Sequence, residues 1–166
     1  MIGRFISHRG NLRGPNPERE NEPQYILEAI DAGFDVEIDV WMHQGSLYLG
    51  HDEPTYEISP DFLVDNQEKF WCHAKNNEAL FYLIKNRDKF HSFSHNQDPY
   101  VLTSQGVIWA YVGMPVNKNT VCVLPEQCKD GTYEKEDLAN CYGICSDEIQ
   151  KYYDEIMPVK ESCILS

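Results

Sequence analysis

The clearest pattern in the chain runs from Phe34 to Met42, where Phe34, Val36, Ile38 and Val40 alternate with Asp35, Glu37 and Asp39. That is the period of a strand whose two faces differ in polarity. Gln44-Gly45 breaks it as a turn, and Ser46 to Gly50 reads as a further strand. Shorter strands are expected at Arg4 to Ser7, Lys69 to Ala74, His91 to Ser94, Val101 to Tyr111, Thr120 to Leu124 and Tyr142 to Cys145. Helical spacing appears three times. One helix opens at Pro23, carries Ile26, Leu27 and Ile30, and stops at Gly33. A second, Asn77 to Asp88, places Leu80, Phe81 and Ile84 on one face. The last, Asp147 to Met157, has Ile149, Tyr152, Tyr153, Ile156 and Met157 at i, i+3, i+4, i+7 and i+8. Asn11 to Glu22, with Gly14, Pro15 and Pro17, reads as a loop.

Strands alternating with helices predict a parallel sheet. The eight strand segments predict an α/β fold of the compact (β/α)8 TIM-barrel type, as one domain over residues 1–166. Such barrels typically need about 250 residues, so several outer helices are expected to be short or missing. A smaller open α/β sheet is the alternative.

Composition narrows the partners. Lys and Arg number 14 against 27 Asp and Glu, a net charge of −13. This field repels nucleic acid, whose binding draws on Lys and Arg at the phosphates. A small anionic substrate can be held only where clustered cations or a bound metal override it. No apolar run reaches the roughly 18 to 20 residues that cross a bilayer, so no transmembrane segment is expected. The N-terminus lacks an apolar signal region, and a cytoplasmic location is expected. The oligomeric state cannot be read. Cysteines at 72, 122, 128, 141, 145 and 163 form no C-x-x-C pair and are expected to be reduced and buried. Cys163-Ile164-Leu165-Ser166 fits the farnesylation pattern, but only Lys160 is basic nearby, and a soluble, unlipidated chain is expected.

The polar residues then gather. Sites in parallel α/β sheets lie at the carboxyl ends of the strands. His8-Arg9, Glu37 with Asp39, His51, and His73 with Lys75 close four consecutive strands. Each group alone is an ordinary solvated end; their recurrence on four strands is not. Glu37 and Asp39, two apart, share one face and suit a hard divalent cation such as Mg2+ or Ca2+. Two histidines can supply acid and base. At about 3.3 Å per residue, the chain leaving Asp39 and returning after Gln44-Gly45 brings His51 back beside Asp39. The seven residues are expected in one pocket.

These residues resemble the glycerophosphodiester phosphodiesterases. His8-Arg9-Gly10 is similar to that family's His-Arg-Gly, and Glu20-Asn21 to its Pro-Glu-Asn-Thr segment, with Glu22 replacing Thr. Gly33 to Val40 resembles its Gly-x-x-x-x-Glu-x-Asp-Val with one residue fewer, and Gly50-His51-Asp52 its His-Asp. Beyond residue 52 the likeness thins to His73-Ala74-Lys75, Ser92-Phe93 and Ser146-Asp147. The resemblance implies a metal-dependent phosphodiesterase barrel of lipid metabolism, with a small phosphodiester as substrate. His8 and His51 would be acid and base, Glu37 and Asp39 metal ligands, and Arg9 a phosphate contact. The family's Glu-x-Lys, a metal ligand and a phosphate-binding Lys, here reads His73-x-Lys75, which puts activity rather than fold in question. The alternatives are a non-catalytic phosphate-binding barrel and a phospholipase D-like lyase releasing a cyclic phosphate.

Overall fold

The computed structural model describes residues 3–129 and 132–157. Strand β1 (Arg4–His8) leads through a loop to helix α1 (Pro23–Asp31) and strand β2 (Asp35–His43). Next come β3 (Ser46–Leu49), β4 (Tyr56–Ile58), α2 (Pro60–Asp65), β5 (Phe70–Ala74), α3 (Asn77–Lys85) and β6 (His91–Phe93). The second half holds β7 (Tyr100–Leu102), β8 (Ile108–Ala110), β9 (Thr120–Val123), a 3-10 turn (Pro125–Gln127), α4 (Lys135–Asn140), β10 (Gly143–Ser146) and α5 (Ile149–Ile156).

Seven strands lie parallel in the order β6-β5-β2-β1-β10-β9-β8. The far half of β2 turns back into antiparallel β3, which pairs with β4, and β7 lies antiparallel to β8. Among the described residues no strand pairing joins β6 to β8. That gap is bridged by the Ser104 N–H donating to the Ser92 carbonyl at 2.8 Å and by the Phe93 and Trp109 rings, 4.5 Å apart. Among the described residues the sheet is therefore an open half-barrel with five short helices, not the expected closed (β/α)8 barrel. The reason lies in the connections. A parallel crossover through a helix takes a dozen or more residues. Only residues 94–99 separate β6 from β7, and residues 111–119 link β8 to β9 without a helix. Val101 to Tyr111, expected as one strand, is a hairpin that reverses at Gly106, where φ is 79°.

Strand parity places the side chains. Val36, Ile38 and Val40 point to the helix side and pack with Ile26, Leu63, Phe70, Cys72 and Leu83. Residues opposed across a ladder share a face. Asp35, Glu37 and Asp39 therefore take the concave face with Trp71 and His73, since Glu37 pairs with Trp71 and Asp39 with His73. Ile6, Trp71, Phe93, Trp109, Val121 and Val123 fill that face. A third cluster, with Phe34, Cys122, Ile144, Ile149 and Tyr152, lies under α5.

α1 begins at Pro23 as expected, and Asn76 caps α3 by accepting the Ala79 N–H at 3.0 Å. The expected face of α3 is displaced. Ala79 and Leu83 are buried, while Phe81 and Ile84 are 62% and 41% exposed. The five described cysteines are free, four of them buried. Cys163 and the C-terminal motif lie outside the described residues. Among the described residues no helix is long and apolar enough to cross a membrane.

Candidate functional site

The C-terminal ends of β1, β2 and β5 meet the segment after β3 around a cleft of about 630 Å³. His8, Arg9, Glu37, His51, His73 and Lys75 line it, and Asp39 lies fully buried beneath. All seven residues expected from the sequence are thus brought together. Local backbone explains part of this. Arg9 takes a left-handed conformation, φ 56°, while its N–H donates to the Glu37 carbonyl at 3.0 Å. Gly10 follows at φ 96°, where a Cβ would lie 2.7 Å from the Tyr25 ring. The β2–β3 register pairs Val40 with Leu49, and the Gly50 N–H donates to the Asp39 carbonyl. His51 therefore returns to Asp39, as chain length predicts, with Nδ1 3.4 Å from Asp39 Oδ2.

Asp39 is the hub. Its Oδ2 accepts from Asn21 Nδ2 at 2.9 Å and lies 2.9 Å from Arg9 Nε. Its Oδ1 lies 3.1 Å from His73 Nδ1 and 3.4 Å from Lys75 Nζ. Burial would raise the Asp39 pKa, but His51, His73 and Arg9 hold the carboxyl well below the usual range. Burial likewise opposes a charge on His73, yet Asp39 and Glu37 outweigh it and push that pKa up to about 9. His73 also places Nε2 3.0 Å from the His95 carbonyl, and its ring stacks on Phe93.

His8 is held from behind by Asp147, whose Oδ1 lies 2.7 Å from His8 Nδ1 and also accepts from Asn11 Nδ2 at 2.8 Å. The other ring nitrogen, Nε2, lies 3.9 Å from Glu37 Oε2. Burial pulls the His8 pKa down, but the Asp147 bond and the Glu37 charge leave it above the ordinary value. Asp147 is lowered by the same bond, against its own burial. Arg9 Nη1 donates to Glu20 Oε2 at 3.1 Å.

Three buried polar atoms in this cluster have no hydrogen bond of good geometry: Arg9 Nε, Glu37 Oε2 and Asp39 Oδ1. Glu37, Asp39 and His73 each offer one ligand atom, and these atoms lie within 4.8 Å of one another. Two carboxylates and one imidazole fit a divalent cation by donor type and reach.

Sequence reasoning assigned no role to Asp147, Asn11 or His95. Asp147 stands 139 residues from His8, and its one signal was the faint likeness at Ser146-Asp147. The uncharged wall of the cleft also went unread: Trp109, Tyr111, Val112, Val123 and Leu124 line it from β8, β9 and the segments that follow them. The chain matches no family model, no curated protein and no solved structure.

Proposed function

We propose that this chain is a metal-dependent phosphodiesterase acting on a glycerophosphodiester or a related small phosphodiester. What carries the reading is one observation: His8, His51, Arg9, Lys75 and Glu37, whose Oε2 has no hydrogen bond, line one cleft with Asp39 buried beneath it. Glu37, Asp39 and His73 would hold an Mg2+ or Ca2+ ion, which when bound neutralises phosphate charge. Arg9 and Lys75 orient the phosphate from either side of Asp39. His8, kept protonated by Asp147, donates a proton to the leaving alkoxide. His51, 44% exposed at the cleft edge, takes a proton from the attacking oxygen.

One observation favours a second reading, a phosphate-binding protein without catalysis. His73 stands 3.1 Å from Asp39 and 3.6 Å from Glu37, so an imidazolium can neutralise both carboxylates without any metal. Turnover of bis(p-nitrophenyl) phosphate and glycerophosphocholine with Mg2+ or Ca2+ separates the two. The enzyme reading expects turnover that EDTA abolishes; inorganic phosphate binding with no turnover supports the binding protein.

A further inference from the structure

The cleft has two unlike walls. On the β1, β2 and β5 side, apart from Pro15, the lining is charged or titratable, with His8, Arg9, Glu37, His51, His73 and Lys75 at its centre. On the β8 and β9 side, Trp109, Tyr111, Val112, Val123 and Leu124 carry no charge, and Gln127 is their polar neighbour. A phosphodiester has two ester arms. With the phosphate between Arg9 and Lys75, one arm lies against the second wall.

Leu124 marks that wall as built. It is a non-glycine residue in the left-handed region, φ 47° and ψ 54°, a conformation costing roughly 1–2 kcal/mol. It holds a half-buried leucine at the cleft while packing against the cluster of Trp109 and Val123. Tyr111, 45% exposed, lines the same cleft, with the His95 ring 5.4 Å away. A cleft of this volume suits an organic ligand larger than phosphate alone.

We infer that the preferred substrate seats an uncharged apolar arm, an aryl or alkyl ester, on Tyr111, Val112 and Leu124 while its other arm is the polar one, so that glycerophosphocholine is turned over less well than an aryl diester. This rests on the phosphodiesterase reading and names the substrate class of the same site. Apolar matching in such pockets is worth about tenfold or more in discrimination.

The test measures calorimetric dissociation constants for inorganic phosphate, phenyl phosphate, glycerol 3-phosphate and phosphocholine on the full chain. Phenyl phosphate is expected to bind at least about tenfold tighter than the two polar esters. Leu124→Asn keeps side-chain size and tolerates the left-handed backbone, and Tyr111→Ser alters an exposed position. Each is expected to reduce that preference several-fold. Binding of inorganic phosphate with equal affinity for all three esters, or a preference for phosphocholine, overturns the inference and leaves the phosphate site standing. Failure of inorganic phosphate and every ester to bind overturns the phosphodiesterase reading itself. A preference unchanged in both variants overturns the assignment of the wall.

Discussion

Strand β2 carries acidic residues at both ends of the concave face, and the two ends are finished differently. At the N-terminal end, Asp35 accepts from Arg4 Nη1 at 3.2 Å, Lys69 Nζ at 3.3 Å and Trp71 Nε1 at 3.3 Å. Its charge is answered by side chains that stay 40–46% exposed, an arrangement that closes the bottom of the sheet. Above Asp35 on the same face, Glu37 Oε2 is buried without a hydrogen bond, while Asp39 Oδ1 meets His73 Nδ1 at 3.1 Å and Lys75 Nζ at 3.4 Å. A buried polar atom left unmade costs about 1–3 kcal/mol, so folding alone does not favour it. The same strand thus separates a carboxylate hydrogen-bonded within the fold, Asp35, from one at the cleft, Glu37, that keeps an oxygen unpartnered.

Exchanging acid for amide at each end breaks the comparison most sharply. Glu37→Gln is expected to lower phosphodiesterase turnover by at least about 10²-fold while changing the melting temperature little. Asp35→Asn is expected to cost about 2 kcal/mol in denaturant unfolding, since Arg4 and Lys69 lose their shared partner, and to leave turnover per folded molecule unchanged. The reverse pattern would mean that the two ends have been assigned backwards.

Two histidines sharpen it through pH. His73 keeps its proton in the fold up to about 9, while the unfolded chain releases it near 6.5. Its ion pairs stabilise fully below pH 6.5 and are lost as pH rises toward 9, about 3 kcal/mol in all. His91, beside Trp71 at the other end, has its pKa lowered by burial and by Arg4 to about 4. Here the unfolded chain takes up the proton first, so stability is present above pH 6.5 and falls toward pH 4, again by about 3 kcal/mol at most. Unfolding in EDTA is expected to show greatest stability near pH 6.5. His73→Gln is expected to flatten the alkaline limb and His91→Gln the acid limb, and limbs unmoved by either variant would contradict the account.

A smaller effect concerns Asp147. Asp147→Asn removes the carboxylate from His8 Nδ1, so the His8 pKa falls toward its ordinary value. The alkaline limb of the kcat profile is expected to move to lower pH, with turnover at neutral pH reduced about 10- to 100-fold. A uniform loss with no displacement of the limb would make Asp147 structural only.

What could be read from the sequence was what short-range geometry controls. Strand parity put Glu37 and Asp39 on one face, and the out-and-back length through Gln44-Gly45 returned His51 to Asp39, because both depend on a handful of residues. Closure of the barrel could not be read that way. Counting strands suggested a closed barrel, but the short links on either side of β7 and β8 leave no room for helices there, and β3 and β7 run antiparallel. The α3 face was misjudged because Leu80, Phe81 and Ile84 and the buried pair Ala79 and Leu83 fit helical spacing equally well, and only the packed neighbours decide. Asp147 and the wall of Trp109, Tyr111 and Leu124 belong to the site through long-range contact alone, which no local pattern encodes.

The central claim is that the cleft above Asp39 performs acid–base chemistry on a phosphodiester. The most direct test is kcat of His51→Ala against the unaltered chain on bis(p-nitrophenyl) phosphate with saturating Mg2+. His51 is 44% exposed and its removal leaves the core intact, so a loss cannot be ascribed to unfolding when the melting temperature is unchanged. A fall of at least about 10²-fold at unchanged melting temperature is predicted, the scale of lost acid–base catalysis. A fully active His51→Ala would contradict the account.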